Sequence, residues 1–253
     1  MFFEERRQDM KRLEGKTAVV TGGGSGIGFA SAKRFMEEGA FVFIFGRTQT
    51  RLDEALAQLG PNARAVCGSI TNTADLDRLF DAVKAERGNL DILLANVGIS
   101  ELAPLGQITP DQYDRIFGTN VKGLLFTVQM ALPLMSAGGS IILTGSIAGS
   151  MGIPQFSLYS ASKAAIRSFA RTWAQDLKGT GIRVNVLSPG ATRTEKALEI
   201  MGEEGLDAVG AGIPLGRAGY PDEIASVAAF LASSDSSFMT GSEVFADGGK
   251  AQV

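Results

Sequence analysis

The sequence contains no histidine and only one cysteine, Cys67. Ser-His-Asp and Cys-His catalysis both need an imidazole base, and most zinc sites need histidine or several cysteines. We therefore expect no metal site, and any acid-base chemistry has to use Tyr, Lys, Asp, Glu or Ser. One cysteine also cannot form an internal disulfide, which favours a reducing compartment and predicts a cytoplasmic protein.

The chain also lacks a strong charge of either sign and a long apolar segment. Its 24 Lys and Arg against 27 Asp and Glu leave a net charge of -3, so it has no broad basic surface of the kind that binds nucleic acid. Residues 123–162 are uncharged, but Pro133 and several glycines interrupt them before the ~18 apolar residues that a membrane span requires. We expect neither nucleic acid nor a membrane as a partner.

Residues 1–12 mix acidic and basic side chains and have no apolar region typical of a secretory signal. We interpret them as an N-terminal leader. The whole chain is 45% hydrophobic and 20% charged, a composition that can bury a large core. We therefore interpret residues 13–253 as a single domain.

Short apolar runs alternate with helix-length amphipathic segments. The predicted strands are Thr17–Thr21, Phe41–Phe45, Ala63–Cys67, Ile92–Ala95, Ser140–Leu143, Arg183–Leu187 and Glu243–Ala246. The predicted helices are Ile27–Glu38, Thr50–Leu59, Ala74–Glu86, Pro110–Met135, Ser157–Lys178, Glu195–Val209 and Pro221–Ala232. Parallel strands need crossover connections, which place helices on both faces of the sheet. The pattern predicts an α/β fold of the Rossmann-like kind, a doubly wound, seven-stranded parallel sheet with helices on both faces.

Several residues are typical of helix ends. Thr73 and Thr109 are predicted N-caps, and Pro221 is predicted at a first helical position. Gly39, Gly60 and Gly88 lie where helices should end.

The first predicted strand runs into a glycine-rich turn, residues 21–28, and then into a helix. Glycines at such a turn let backbone N–H groups approach a pyrophosphate, and the helix N-terminus adds a positive dipole end. We predict that Gly22, Ser25, Gly26, Ile27 and Gly28 bind a dinucleotide. The spacing does not match G-x-G-x-x-G, so a turn with only a structural role stays open.

The second predicted strand ends in Phe45-Gly46-Arg47. An NAD enzyme should carry an acidic residue there, to accept hydrogen bonds from the ribose hydroxyls. Arg47 instead suits a 2′-phosphate through charge-assisted bidentate bonds. The alternative is an ordinary solvated surface arginine.

Tyr159 and Lys163 are four residues apart on a predicted helix and therefore project from one face. A tyrosine hydroxyl is a poor base at neutral pH unless a nearby cation stabilises the phenolate, and Lys163 could supply that cation. Ser146 follows a predicted strand whose carboxyl end should border a ligand crevice, where its hydroxyl could hydrogen-bond a carbonyl. Alone, a Y-x-x-x-K pair is also common on exposed helix faces.

Taken together, these residues resemble the short-chain dehydrogenase/reductase family over about residues 13–250. The features that carry the resemblance occur in the family's order: the glycine turn, Ala95-Asn96-Val97-Gly98, Asn120, Ser146, Tyr159, Lys163, Pro189-Gly190 and Asp247-Gly248-Gly249. The chain departs from the family at Ala95, where Asn is frequent, at Ser69, where Asp usually caps the adenine, and at Ser25, where many NADP-preferring relatives have a basic residue.

The resemblance implies roles for the matching residues. Tyr159 would be the general acid and base, Ser146 would orient the substrate oxygen, and Lys163 would lower the Tyr159 pKa and hold the nicotinamide ribose. Asn120 would support a water-linked proton relay. Asn96 would lie by the adenine ribose, and Pro189, Gly190, Thr192 and Thr194 would frame the nicotinamide.

The sequence therefore predicts an oxidoreductase that moves a hydride between NADP(H) and a carbonyl or secondary alcohol, with NADP(H) favoured over NAD(H). Two alternatives stay open, an NAD-dependent dehydrogenase of the same family and a non-catalytic nucleotide-binding regulatory protein. Residues 191–219 are glycine-rich and predict a lid over a small-molecule substrate. The resemblance also implies a homotetramer.

Overall fold

The structure is a computed structural model, and it describes residues 11–253. Residues 1–10 of the predicted leader lie outside the described residues. The two leader residues that are described are Lys11 and Arg12, and the Arg12 guanidinium forms an ion pair with Glu38.

Seven parallel strands form one sheet in the order β3-β2-β1-β4-β5-β6-β7. The strands are β1 (Thr17–Thr21), β2 (Phe41–Gly46), β3 (Ala63–Cys67), β4 (Leu90–Ala95), β5 (Met135–Thr144), β6 (Arg183–Pro189) and β7 (Glu243–Ala246). The strand order reverses between β1 and β4, and open α/β sheets bind ligands in the crevice at such a point. The predicted fold class is confirmed.

In residues 11–253, eight α-helices connect and cover the strands. They are α1 (Gly26–Glu37), α2 (Gln49–Leu59), α3 (Thr73–Arg87), α4 (Pro110–Phe117), α5 (Leu124–Ala131), α6 (Ser157–Asp176), α7 (Glu195–Ala211) and α8 (Pro221–Ala232). Within residues 11–253, none of the helices is long and apolar enough to cross a bilayer.

The core lies in two layers, one on each face of the sheet. Alternate side chains of a strand point to opposite faces, so Val20 packs in the layer under α1, α2 and α8, whereas Val19 packs in the layer under α3, α5 and α6. Both valines are fully buried. Because both faces of the sheet are covered, the strands are mostly apolar and their carboxyl ends are left to form the site.

The segment predicted as one helix, Pro110–Met135, is interrupted. A π-helix, Gly118–Gly123, separates α4 from α5, and a short 3₁₀ helix, Leu132–Leu134, follows α5. Pro133 cannot donate the N–H that a further α-turn needs, and Met135 already belongs to β5. That strand begins earlier than predicted, because its register against β4 shifts between the pairs Leu90–Met135 and Ile92–Ser140.

Most of the predicted helix ends are confirmed. The Thr109 hydroxyl accepts from the Gln112 N–H at 3.2 Å, and Pro221 is the first residue of α8. The prediction of Thr73 as an N-cap is wrong by one residue, since the Asn72 side chain accepts from the Ala74 N–H at 3.1 Å. An Asn side chain caps as well as Thr, so composition alone does not separate the two positions.

Candidate active site

The glycine turn between β1 and α1 forms one side of the crevice. Gly22 and Gly26 have φ of 68° and 53°, a left-handed conformation that favours glycine. Gly28 lies so close to the turn that an added Cβ would be 2.1 Å from the Gly22 carbonyl oxygen. Ser25, the N-cap of α1, makes no side-chain cap hydrogen bond. The turn therefore presents backbone N–H groups at a helix N-terminus, which fits the pyrophosphate of a dinucleotide.

The segment after β6 approaches this turn from the opposite side. The Thr194 Cγ2 lies 3.3 Å from the place that a Cβ on Gly26 would occupy. Thr194 also caps α7, accepting from the Ala197 N–H at 3.2 Å. Closer to the sheet, the Thr192 hydroxyl donates to the Gly190 carbonyl at 3.0 Å. These bonds hold residues 189–194 in a fixed course along the crevice.

Asn96 lies between these two walls, directly after β4. Its N–H donates to the Thr21 hydroxyl at 3.0 Å, and its side-chain Oδ1 accepts from the Thr144 hydroxyl at 3.2 Å. The amide Nδ2 lies 3.2 Å from the place that a Cβ on Gly22 would occupy. Asn96 therefore ties the ends of β1, β4 and β5 together at the point where the strand order reverses.

Ser146, Tyr159 and Lys163 meet at the carboxyl end of β5. The Lys163 side chain crosses from α6, and its Nζ donates to the Thr144 carbonyl at 2.7 Å. The same nitrogen lies 5.6 Å from the centre of the Tyr159 ring. The Ser146 side chain lies close enough to the Tyr159 hydroxyl to lower the Tyr159 pKa, and the Ser146 Oγ accepts from the Ala148 N–H at 3.2 Å. The structure thus brings the predicted trio together.

Burial shifts the pKa values of Tyr159 and Lys163 in opposite directions. Desolvation raises the pKa of Tyr159 above its ordinary value, and the Ser146 side chain acts in the opposite direction. Desolvation lowers the pKa of Lys163 to about 8, because the residue is only 3% exposed. The net shift of the Tyr159 pKa is upward, whereas the resemblance implies that Lys163 lowers this pKa.

Asn120 lies inside the π-helix and is fully buried. Its Oδ1 accepts from the Ile99 N–H at 2.8 Å, while its Nδ2 donates to the Ile99 carbonyl at 2.9 Å and to the Ser162 hydroxyl at 3.0 Å. The amide therefore fastens the loop after β4 to α6. Single π-turns often mark functional sites, and here the wider turn coincides with a predicted site residue.

Gly98 connects this amide to the trio. A Cβ on Gly98 would lie 3.2 Å from Lys163 Nζ and 3.6 Å from Asn120 Oδ1. The two side chains therefore border the same small space beside the strand ends, and only glycine leaves that space open.

Arg47 stands apart from the other predicted site residues, at the outer end of β2. It is exposed, and its guanidinium makes no hydrogen bond or ion pair with any residue in the described range. A second arginine, Arg51, was missed in the sequence and lies beside the glycine turn: its Cβ is 3.6 Å from the place that a Cβ on Gly24 would occupy. Its position in the first turn of α2, one turn beyond Arg47, is the signal that could have revealed it.

The predicted lid region contains α7, which is kinked. Gly202 interrupts the helix with φ 68° and ψ 176°. Beyond the kink, Glu203 and Asp207 both pair with Arg193, which follows β6. The outer half of α7 is therefore held to the crevice by ion pairs, while its backbone is broken at one glycine.

Comparisons with known proteins agree with this geometry. A family model described as "Enoyl-(Acyl carrier protein) reductase" matches residues 22–251. "Oxidoreductase asL5" of Sarocladium schorii is 63% identical over 96% of this chain and 99% of its own. "3-oxoacyl-[acyl-carrier-protein] reductase FabG" of Thermotoga maritima is 36% identical over 94% of this chain and 98% of its own.

A solved structure described as a "short chain dehydrogenase/reductase family protein" superposes with a TM-score of 0.86 at 40% identity. It covers 96% of this chain and 100% of its own. Residues 22–251, which the family model matches, include both walls of the crevice and the trio at the end of β5. This chain therefore belongs to the short-chain dehydrogenase/reductase family of oxidoreductases.

Proposed function

We propose that this protein is an NADP(H)-dependent oxidoreductase that interconverts a carbonyl and the corresponding secondary alcohol, with Tyr159 as the general acid and base. The observation that carries the proposal is the meeting of Ser146, Tyr159 and Lys163 at the end of β5, beside the glycine turn. A nicotinamide cofactor, when bound, supplies or accepts the hydride. The residues of the chain then have to hold the substrate oxygen and move one proton.

Tyr159 suits the donation of a proton in the reduction direction. Because burial raises its pKa, the phenol is protonated at neutral pH and can donate to the oxygen of a carbonyl as that oxygen gains negative charge. Ser146 supplies a second hydroxyl beside it, and two donors aimed at a developing alkoxide lower the barrier. In the oxidation direction, the phenolate would accept the alcohol proton.

Lys163 supports the phenolate form. Its buried nitrogen lies close to the Tyr159 ring, and a positive charge near a phenolate stabilises it. An ammonium has three protons, and one is used on the Thr144 carbonyl, so two are left for a ribose hydroxyl and the proton relay implied for Asn120.

The phosphate end of the crevice supports NADP(H) over NAD(H). Arg47 follows β2 where an NAD enzyme carries a carboxylate, and Arg51 is a second arginine whose Cβ lies beside the glycine turn. The Arg51 Nη1 lies 3.9 Å from the Glu195 Oε2 in an exposed ion pair. Such pairs are weak, so Glu195 competes only weakly with a phosphate for Arg51. An NAD-dependent enzyme of the same family is the alternative.

Exposed apolar side chains in two segments that are expected to line the pocket support an apolar ketone or alcohol as substrate. Leu102 and Leu105 follow β4 and are 58% and 90% exposed, and Ile200 on α7 is 65% exposed. Phe156 packs edge-on against the Tyr159 ring with centroids 5.3 Å apart. Large apolar side chains that are exposed together commonly mark binding surfaces. A carrier-bound acyl chain or a sugar alcohol is the competing substrate class.

The test is a small substrate panel followed by nicotinamide absorbance, with NADPH and NADH compared at equal concentration. The panel contains 2-tetralone as an apolar bicyclic ketone, an acetoacetyl thioester and galactitol with the oxidised cofactors. We expect the fastest turnover with 2-tetralone and NADPH. Cofactor binding without turnover of any panel member would instead favour the non-catalytic nucleotide-binding protein.

We also propose a cytoplasmic homotetramer. The single thiol of Cys67 suits a reducing compartment. Exposed small residues on α6, Ala161, Ala164 and Ser168, leave room for the close approach of a helix from a second copy.

A further inference from the structure

Glu243, the first residue of the edge strand β7, is a buried carboxylate near the site. Its side chain is only 8% exposed. Acidic side chains are rarely buried to this extent unless they are paired. The partners of Glu243 therefore indicate what the carboxylate holds in place.

The carboxylate reaches three different elements. Its Oε1 accepts from the Ser188 hydroxyl at 2.7 Å. Its Oε2 lies 2.6 Å from Arg167 Nε on α6 and 3.5 Å from the Ser150 hydroxyl. The Arg167 Nη1 in turn lies 3.5 Å from the same Ser150 hydroxyl.

The Arg167 contact is an ion pair rather than a well-directed hydrogen bond. The buried Nε has no hydrogen-bond partner among the described residues, although the carboxylate oxygen lies 2.6 Å away. The attraction is therefore mainly between the two charges. Removing the Arg167 charge would leave the buried carboxylate without its charged partner, which is strongly unfavourable.

Each partner of Glu243 lies next to a residue of the proposed site. Arg167 is one helical turn beyond Lys163 on α6, so the two share a face. Ser150 follows the 3₁₀ turn that begins after Ser146. Ser188 directly precedes Pro189 and Gly190, two of the residues proposed to frame the nicotinamide.

Close packing transmits any shift between these elements. A Cβ on Gly145, the residue before Ser146, would lie 2.4 Å from the Ser188 hydroxyl. A Cβ on Gly149 would lie 3.1 Å from the Lys163 carbonyl carbon. The Ser146 loop therefore packs directly on the Ser188 side chain of β6 and on the backbone of α6, and Glu243 joins the same three elements.

We propose that Glu243 is a positioning residue. It fixes the Ser146 loop and α6, which carries Tyr159, relative to β6, the strand that leads to the residues proposed to frame the nicotinamide. This role rests on the proposed function. The competing role is purely structural, an ion pair that anchors the edge strand. A structural anchor would change the fraction of folded protein, whereas a positioning residue changes the turnover of molecules that are folded.

The test compares Glu243→Gln, Ser150→Ala and the parent with NADPH and 2-tetralone, or with the panel member that turns over faster. Glu243→Gln keeps the size of the side chain and an oxygen for Ser188 but removes the charge. Ser150→Ala is a mild change at an exposed position and cuts only the link to the Ser146 loop. The matched control is Glu86→Gln, which breaks the Arg64–Glu86 ion pair of 2.6 Å between β3 and α3, away from the trio.

Misplaced catalytic groups cost up to about 100-fold in rate, so we expect kcat per cofactor-binding site to fall about 10- to 100-fold in Glu243→Gln and less in Ser150→Ala. NADPH affinity should stay close to that of the parent, and Glu86→Gln should match the parent kcat. In a Tyr159→Phe background, adding Glu243→Gln should cost much less than it does in the parent, because groups that act as a unit are not additive.

Parental kcat in both Glu243→Gln and Ser150→Ala, with Tyr159→Phe inactive, would overturn the positioning role and leave the proposed function standing. An equal loss from Glu243→Gln in the parent and in the Tyr159→Phe background would overturn it too. If Tyr159→Phe turns over like the parent, the proposed function itself fails, and the positioning role fails with it.

Discussion

Lys163 connects the structure of the site to its pH dependence. Its amine is 3% exposed and has a pKa lowered to about 8 by burial, while burial raises the pKa of Tyr159. As the pH rises, Lys163 should therefore lose its proton before Tyr159 does. The group that limits carbonyl reduction in mildly alkaline solution is then the lysine.

We expect kcat/KM for NADPH to be level near neutral pH and to fall above about pH 8, by about tenfold per pH unit. The reason is that only the charged form of Lys163 binds the nicotinamide ribose and stabilises the Tyr159 phenolate. This parameter reports the pKa values of the free enzyme. The measurement is a pH series with saturating ketone. In Lys163→Arg, which stays charged, the decline should move to much higher pH, and a decline at the same pH would assign the titration to another group.

Arg47 is the residue that carries most of the cofactor preference. Its exposed guanidinium can bind a 2′-phosphate and stack on adenine, so Arg47→Ala should weaken NADPH binding by the ~1.5–3 kcal/mol typical of a hydrogen bond to a charged group. NADH binding should hardly change, and the parent's preference should shrink with added salt. Fluorescence titration of both cofactors at two ionic strengths measures this.

Arg51→Ala separates the two guanidiniums, and we expect a smaller loss of NADPH affinity than in Arg47→Ala because Arg51 is partly engaged by Glu195. Equal losses for NADPH and NADH in Arg47→Ala, or a parent that prefers NADH, would mean that Arg47 is an ordinary surface residue and that the NAD-dependent alternative holds.

At the scale of the elements, the kink in α7 is a feature that one glycine maintains. Gly202 has φ 68° and ψ 176°, a region that is accessible almost only to glycine and costs about 1–3 kcal/mol for other residues. No atom lies within 4 Å of an added Cβ, so the penalty of a substitution is in the backbone alone.

We expect Gly202→Ala to destabilise the protein and to lower Tm by about 2–4 °C for each kcal/mol, with a raised KM because the half of α7 nearest the crevice is redirected. Thermal unfolding and steady-state kinetics measure the two effects. Gly118→Ala is the control: Gly118 has helical angles, φ −57° and ψ −42°, and equally open space. A Tm for Gly202→Ala as high as that of Gly118→Ala would show that the kink needs no glycine.

The elements also show how far the sequence predicts the structure. All seven strands and the order of the helices follow from hydrophobic periodicity, which is a local property of the chain. The π-turn around Asn120 and the early start of β5 do not, because both depend on tertiary contacts, the Asn120–Ile99 bonds and the shifted pairing with β4. A π-turn adds only one residue to a helical turn, so the hydrophobic periodicity of the segment hardly changes and does not reveal it.

The same distinction applies to the site. Ser146 and the glycine turn could be placed from the sequence, because the ends of parallel strands meet at one edge of the sheet, whereas the resemblance to the family placed Tyr159 and Lys163 beside them. The cluster of Arg167, Ser188, Glu243 and Ser150 could not be placed from the sequence. Its members come from α6, β6, β7 and a loop, and they share no sequence spacing. The raised pKa of Tyr159 likewise follows from burial, which a Y-x-x-x-K pair does not reveal.

For the whole molecule, we expect a homotetramer in solution, with pairwise two-fold interfaces that include α6. Sedimentation at micromolar concentration should give about four times the mass of the chain. Ala164→Arg places a long charged side chain on the exposed small-residue face of α6 and should produce smaller species. Ala57→Arg, at an exposed position of α2, is the control that should stay tetrameric, and a stable monomeric parent would refute the assembly.

The central claim, that Tyr159 transfers the proton, is tested most directly by the turnover of Tyr159→Phe. Phenylalanine keeps the edge-on packing against Phe156 but cannot donate or accept the proton, so kcat should fall at least the ~10²-fold typical of a lost general acid. NADPH binding should survive, and Tyr113→Phe, at an exposed tyrosine on α4, should behave like the parent. Turnover in Tyr159→Phe comparable to that of the parent, with cofactor bound, would contradict the assignment.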